Sequence, residues 1–440
     1  MSLWKIAWRS LRQRSLASTL TGFSMALGVA LVVVVLVIHG VISESFQRNA
    51  GLGYDIIVGA KGGKLQLVLN TVYHLSTPVE NIPYSYLKEF TEGPYKKYVE
   101  IAIPYCLGDN YEGFRVVATV PDLFQVEYAP KRKYAFKQGR NFAKAGFFEG
   151  VIGATVAAQT KLKLGDTFQP VHGVDENEQG HVHEPFKIVG ILEPTGTPND
   201  RALFINIEGF YLLENHAKPV EKTKDAVAKA KSAKAEPHDD HDHDPKHEHE
   251  HEPLPEAQRE LTAILIRVST PTAGIFLPNA VNEGSVAQAV LPVREIRSLF
   301  EVIVGPIELI LLVLTVLIVV VSGIGILVSI YNSMSERRRE IAIMRALGAS
   351  RTTIRSIVLM ESILLSLGGG LAGWLLGHSL IALLSPAIQA QTGVATGLFA
   401  FVPAELALVP GLIGLAAAVG YLPAMAAYRT DVARGLAASP

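Results

Sequence analysis

Four long apolar runs constrain the fold of this 440-residue chain more than any other feature. A helix needs about 20 mainly apolar residues to cross about 30 Å of hydrocarbon, and every run reaches that length. We predict membrane-spanning helices at residues 16–42, 301–332, 353–385 and 405–426. The sequence therefore predicts an integral membrane protein with four transmembrane α-helices.

The first run follows a basic leader, residues 1–15, so a cleaved signal peptide is the alternative interpretation. Its apolar stretch is longer than the core of a signal peptide, which has about 7 to 15 residues. Only Ser43-Glu44-Ser45 resembles a cleavage site. We therefore predict an uncleaved anchor.

The arginines are distributed unevenly around these runs, and arginine-rich loops remain in the cytoplasm. They precede the first run, separate the second from the third and follow the fourth: Arg9, Arg12, Arg14, Arg337, Arg338, Arg339, Arg345, Arg351, Arg355, Arg429 and Arg434. We expect a multi-pass protein of the bacterial inner membrane with both termini cytoplasmic, including a tail at 427–440. Residues 43–300 and the loop 386–404 are then outside. A net charge of −1 suggests no nucleic-acid partner.

The outer segment, residues 43–300, has the pattern of a large α+β periplasmic domain inserted between the first two spans. Short apolar runs broken by Gly, Pro and Asn are typical of strands. We predict strands at 54–58, 98–104, 114–120, 186–192, 202–207 and 262–268. Helices are expected at 82–90 and 153–162, and a helical stalk at 285–301 that leads into the second span.

A low-complexity insert, residues 217–255, interrupts this domain and has almost no large apolar side chains. Such a composition predicts disorder, because little burial would compensate the loss of chain entropy. Histidines alternate with carboxylates in the insert, and both groups are ligands for zinc, copper or nickel. We take zinc as the candidate metal for this insert. The candidate ligands are His238, His241, His243, His247, His249 and His251. A smaller cluster of His172, His181 and His183 has the pattern of a surface loop.

No local motif for enzyme chemistry is present in the sequence. Lys61-Gly62-Gly63-Lys64 lacks the spacing of a phosphate-binding loop, so we expect no cofactor in this chain and no catalytic residues. Gly369, Gly373 and Gly377 recur every fourth residue of the third span, which predicts close packing against another helix. Glu308, Glu361 and His378 are ionisable groups within the spans and so nominal functional candidates.

The segment between the second and third spans, residues 333–352, is the most specific stretch of the sequence. Its spacing predicts a short amphipathic cytoplasmic helix that ends at a glycine, with Ile341, Met344 and Leu347 on one apolar stripe. Attachment to anionic lipid is one interpretation of such a basic helix. The candidate coupling residues are Glu336, Arg337, Arg338, Arg339, Glu340, Ile341, Met344, Arg345, Leu347 and Gly348.

This segment resembles the coupling helix of FtsX-like permeases, the MacB and LolCDE class. Further similarities lie in the leader at 6–12, in Gly139-Arg140, in Val151-Ile152-Gly153, in 164–167 and in 186–193. The resemblance implies the permease subunit of an ABC transporter, a homodimer or a pair with a related permease. It also implies three kinds of partner: a dimer of a cytoplasmic ABC ATPase that binds ATP and Mg, membrane lipids, and a periplasmic protein.

The resemblance also implies mechanotransmission, in which ATP hydrolysis moves the periplasmic domain to export or extract a substrate that the sequence does not identify. Two alternatives remain open at this stage. One is an assembly for zinc acquisition or efflux that uses the same machinery. The other is a signalling protein that recruits a cell-wall enzyme without transport.

Overall fold

The computed structural model describes residues 3–13, 15–173, 183–213, 254–336, 338–392 and 401–428. The chain divides into two compact units, each with its own core. Residues Met1–Ser45 and Phe300–Pro440 form the membrane unit, and Phe46–Leu299 form the outer unit.

Within its described residues, the membrane unit contains four helices that are long and apolar enough to cross a bilayer. The described helices of this unit are α1 (Leu3–Gln13), α2 (Ser15–Asn49), α9 (Gly305–Glu336), α10 (Arg338–Ala346), α11 (Arg351–Thr392) and α12 (Leu408–Tyr428). A π-helical turn, Phe300–Val304, precedes α9, and a 3-10 turn, Pro403–Ala407, precedes α12. The predicted four-span fold class is confirmed.

The glycines of α11 allow it to pack closely against α2. A Cβ atom added to Gly373 would lie 2.4 Å from the carbonyl oxygen of Ala26, and one on Gly377 would lie 2.9 Å from Cβ of Val33. Gly369 would meet the Gly22 carbonyl at 2.9 Å in the same way. Small residues at every fourth position thus let two backbones approach in a medium where apolar burial gives little driving force. The predicted packing role of this stripe is confirmed.

The outer unit is built on a mixed sheet in the order β15-β1-β14-β3-β4-β12-β8-β11-β7, with β10 beside β3 and β9 beside β11. Two neighbouring pairs, β4 with β12 and β8 with β11, are parallel. The strands are β1 (Ile56–Gly59), β2 (Ile82–Pro83), β3 (Val99–Tyr111), β4 (Phe114–Thr119), β5 (Glu127–Ala129), β6 (Arg132–Lys133), β7 (Phe136–Gly139), β8 (Glu149–Ile152), β9 (Thr167–Phe168), β10 (Val171–His172), β11 (Phe186–Leu192), β12 (Ala202–Asn206), β13 (Glu260–Leu261), β14 (Ala263–Val268) and β15 (Gln288–Val290).

Short helices cover this sheet, and an apolar core lies between the two layers. The helices are α3 (Lys64–Tyr73), α4 (Lys88–Thr91), α5 (Ala154–Thr160), α6 (Ile207–Leu212), α7 (Ala273–Glu283) and α8 (Pro292–Leu299). Cys106, the single cysteine of the chain, lies in this core 3.3 Å from the hydroxyl of Tyr211. All six predicted strands are confirmed, although β3 continues from the predicted end at 104 to Tyr111. The other strand ends lie within about two residues of the predicted ones.

The helical prediction for 285–301 was wrong in its first half. Gln288–Val290 is an edge strand paired with β1, and the helix begins only at Pro292. Proline has no backbone N–H and disfavours continuation of a helix from the preceding turn, but it fits the first helical position. The predicted helix at 82–90 was also only partly right, since Ile82–Pro83 is a strand and Tyr84–Leu87 a 3-10 turn.

Candidate coupling site

The helix α10 joins α9 to α11, and its C-terminal end is fixed by the local sequence. Gly348 has φ +99°, a left-handed conformation that favours glycine. Its N–H donates to the Arg345 carbonyl, and the N–H of Ala349 donates to the Met344 carbonyl, each at 3.0 Å. These two bonds form a Schellman motif, which satisfies carbonyls that a helix end leaves without intrahelical partners.

The next helix begins immediately after this motif. The hydroxyl of Ser350 accepts a hydrogen bond from the N–H of Thr353 at 3.1 Å, which is the bond of a helix N-cap. Only residues 347–350 therefore separate α10 from α11. A joint this short, held by these hydrogen bonds, gives α10 little freedom to move independently of α11.

The apolar residues of α10 divide between the protein's own core and its surface. Ile341 is 4% exposed and belongs to the same buried cluster as Ile330 of α9 and Ile354 of α11. Met344 packs against that cluster, whereas Leu347 is 84% exposed and Ile343 is 44% exposed. Ile341 and Met344 thus anchor the helix, and Leu347 and Ile343 form its accessible apolar surface.

This division corrects the expectation of a single stripe through Ile341, Met344 and Leu347. At 3.6 residues per turn, positions six apart differ by about 120° around the axis. Leu347 also lies one residue beyond the last residue of α10, Ala346. Ile341 and Leu347 are therefore on different faces of the helix, although each is three residues from Met344.

The charged candidates are only partly described. The backbone of Glu336, Arg338, Arg339 and Glu340 is helical, but their side chains and the whole of Arg337 lie outside the described residues. Arg345 is half-buried and has polar or charged contacts. The six histidine candidates of the insert, which lie within 214–253, are also outside the described residues, as is His181.

Two histidine–glutamate pairs lie in the membrane unit, and the sequence revealed only one member of each. Nε2 of His378 on α11 is 3.0 Å from Oε2 of Glu405, which also accepts a bond from the Trp374 indole N–H at 2.8 Å. His39 of α2 lies 3.0 Å from the Glu308 carboxylate of α9. Glu405 and His39 were not predicted as functional candidates, because each meets its partner only across the packed helices.

Glu405 is 3% exposed, and its second oxygen accepts a bond from the Val402 N–H at 2.9 Å. A buried carboxylate needs such partners to offset its loss of hydration. The arrangement ties the start of α12 to α11, so we assign His378 and Glu405 a structural role. Glu361 is 4% exposed within α11 and has contacts of its own.

The described part of the chain has four helices that could cross a membrane. In sequence, a mixed-sheet domain lies between the first and the second of them, and a short helix lies between the second and the third. This order of elements is that of a membrane permease. Two family models match: "MacB-like periplasmic core domain" over residues 18–236 and "FtsX-like permease C-terminal" over residues 312–432. The chain belongs to this family of FtsX-like, MacB-type ABC transporter permeases.

Similar proteins carry names of the same kind. The chain is 33% identical over 187 residues to "Macrolide export ATP-binding/permease protein MacB" of Bordetella avium. The aligned region covers 41% of this chain and 28% of the relative. It is 34% identical over 128 residues to "ABC transporter permease YtrF" of Bacillus subtilis, with coverages of 27% and 29%. It is 45% identical over 65 residues to "Uncharacterized ABC transporter permease YknZ" of the same species, with coverages of 15% and 16%. The matched regions thus span less than a third of each relative.

Proposed function

We propose that this chain is the transmembrane subunit of an ABC complex in which a separate ATPase dimer drives movement of the outer unit. The family assignment supports the class of machine, and a relative whose name includes "ATP-binding/permease" supports a link to ATP binding. The proposed output is mechanotransmission, which exports or extracts a substrate that has not been identified.

The observation that carries the coupling proposal is the exposed apolar surface at the end of α10. Leu347 is 84% exposed, whereas Ile341 of the same helical segment is buried in the core. Protein interfaces concentrate their binding energy in a few apolar or aromatic anchors that enter pockets on the partner. We infer that Leu347 and Ile343 enter a groove on the ATPase, so that motion of the ATPase reaches α9 and α11 through the anchored side chains.

The proposed topology places α10 and both termini in the cytoplasm of a bacterial inner membrane. It rests on the arginines at 337–355 and in the leader, because positive residues are retained on the cytoplasmic side. The proposed assembly is a homodimer or a pair with a related permease.

ATP hydrolysis is assigned to the partner and not to this chain. The lysine beside the two glycines at 62–63, Lys61, donates hydrogen bonds to the carbonyls of Gly284 and Asn282 at 2.5 and 3.4 Å. Its ammonium group is therefore engaged with backbone oxygens. We expect the purified chain to turn over no ATP alone and to stimulate turnover by a partner that carries a phosphate-binding loop.

The test compares Leu347→Asp with replacement of Arg337, Arg338 and Arg339 by Gln in liposomes reconstituted with the ATPase. Burial of a leucine stabilises a contact by about 1.5 to 3 kcal/mol, and interface anchors cost about 2 kcal/mol or more when lost. Leu347→Asp should thus weaken ATPase association about 30-fold or more, since 1.4 kcal/mol is a factor of ten. Leu164→Asp, at a 44% exposed leucine of the outer unit, is the control and should leave ATPase stimulation unchanged.

Unchanged stimulation by Leu347→Asp would refute docking through this surface. Attachment of α10 to lipid predicts a different pattern, in which loss of the arginines is more damaging than loss of the leucine. In that case the defect should also grow with the anionic lipid content of the liposomes.

Movement of a metal ion is the second candidate function. It is favoured by the six histidines and interspersed carboxylates of residues 238–251, a composition that binds zinc-like ions. Strains that lack the gene should then grow poorly under zinc limitation or zinc excess. Growth unaffected by zinc would refute this second candidate and leave the export or extraction of another substrate as the function to test.

A further inference from the structure

Three potential metal ligands meet in the outer unit, and none of them belongs to the histidine-rich insert. Asp109 of β3 and His172 of β10 are directly opposite each other in an antiparallel strand pair. The register of β3 against β4 shifts between Leu107 and Asp109, which is the signature of a β-bulge at Gly108. Bulges redirect side chains at functional sites, and this one precedes the aspartate.

A third ligand enters from the chain that leads into β11. The N–H of His183 donates to the carbonyl of Pro170 at 3.0 Å, which places this histidine beside β10. Its Nε2 lies 3.9 Å from Oδ2 of Asp109, and Nδ1 of His172 lies 3.2 Å from Oδ1. The strand register and this backbone bond therefore bring together residues far apart in sequence.

The separations fit a single small cation. One ligand atom from each of the three residues lies within 4.8 Å of the others. Tetrahedral zinc with bonds of about 2.0 to 2.2 Å has ligand atoms about 3.3 to 3.6 Å apart. The two histidine–aspartate distances, 3.2 Å to Oδ1 and 3.9 Å to Oδ2, lie on either side of that range.

Burial and charge favour a cation at this position. The Asp109 side chain is fully buried, that of His183 is 2% exposed, and that of His172 is 52% exposed. A metal-bound carboxylate is ionised, and its attraction to a divalent ion is strongest where water is excluded. The half-exposed His172 leaves a route for the ion to enter.

We propose that Asp109, His172 and His183 form a binding site for a divalent transition-metal ion of the zinc class. Two imidazole nitrogens and one carboxylate oxygen suit zinc better than calcium or magnesium, which prefer oxygen ligands. Three protein ligands leave the fourth tetrahedral position for water or an incoming group, as in zinc sites that exchange a ligand. This proposal is independent of ATPase coupling and does not depend on which substrate the complex moves.

The test uses the full-length chain in detergent, with the six insert histidines replaced by asparagine to suppress their metal binding. Co²⁺ is the probe, because the four-coordinate ion absorbs visible light far more strongly than the hydrated ion. We expect one equivalent of Co²⁺ with strong absorption, displaced by one equivalent of Zn²⁺. His183→Gln should weaken zinc binding more than about 100-fold, because even loss of an outer-shell partner costs about 10- to 100-fold.

His172→Gln is the safer variant for folding because that side chain is half-exposed. Asp122→Asn is the matched control, since Asp122 is an exposed carboxylate 3.8 Å from Lys144. It should bind Co²⁺ like the parent, and Zn²⁺ should raise the thermal unfolding midpoint of both. Absence of the strong absorption in the parent, or its survival in both His172→Gln and His183→Gln, would show that the cluster is a structural hydrogen-bonded group and overturn the proposal.

Discussion

Replacement of Gly373 by alanine should destabilise the membrane unit, because the added methyl group meets backbone and not a movable side chain. Its Cβ would lie 2.4 Å from the Ala26 carbonyl oxygen and 2.8 Å from Cβ of Val29. Contact without repulsion needs about 3.5 Å, so α2 and α11 would have to separate by about 1 Å. Overpacking of this kind costs about 1 to 3 kcal/mol, partly offset by the gain of about 0.8 to 1 kcal/mol when alanine replaces glycine in a helix.

Gly368→Ala is the matched control on the same helix. A Cβ atom added there meets nothing within 4 Å, so only the favourable change in helix propensity remains. The difference in unfolding free energy between the two variants isolates the packing cost, because the same group is added to the same helix. We expect Gly368→Ala to be more stable than Gly373→Ala by about 1 to 3 kcal/mol. Equilibrium unfolding in mixed detergent micelles measures this difference, and equal stability of the two variants would refute close packing of α2 against α11.

Three further predictions concern the outer unit and the topology. Burial lowers the pKa of His74, 3.0 Å from the Asn199 amide oxygen, to about 4 from 6.5. Between these two pKa values the unfolded chain binds more protons than the folded chain, so about 3 kcal/mol of stability is lost as pH falls from 6.5 to 4. His74→Gln should remove that loss when unfolding is measured as a function of pH. Asn206 makes hydrogen bonds to four backbone groups and caps α6, so Asn206→Ala should cost about 2 to 4 kcal/mol in thermal or chemical unfolding, and a smaller loss would contradict this role. An impermeant maleimide should label Lys88→Cys but not Arg338→Cys on intact cells, and the opposite pattern would invert the proposed topology.

The membrane helices could be predicted because the thickness of a bilayer imposes one length on every span. The repeat at Gly369, Gly373 and Gly377 was similarly informative, since a four-residue spacing places all three on one helix face. The strands at Phe114–Thr119 and Phe186–Leu192 were recognisable from short apolar runs bounded by turn residues. In each case local sequence and the surrounding medium determine the structure.

The side-chain clusters could not be predicted, because they depend on contacts between distant segments. Asp109 meets His172 across 63 positions through the register of β10 on β3, which no local pattern specifies. Glu405 meets His378 across 27 positions through the turn before α12. The surface of α10 was misjudged for a different reason, since the core that captures Ile341 includes residues of other helices.

Because Cys106 is buried, the native chain should have little reactivity of its own towards thiol-labelling reagents. Its side chain is 2% exposed, and burial raises the pKa of the thiol to about 12. The thiolate is the form that attacks thiol reagents, so this group should stay inert at neutral pH while the protein is folded. Any single introduced cysteine would then be the one reactive thiol, and paired cysteines could be cross-linked or spin-labelled without altering a natural residue. Distances between chosen positions, and their changes when the proposed ATPase partner turns over ATP, are thus measurable in a chain that differs from the natural one only at the labelled positions.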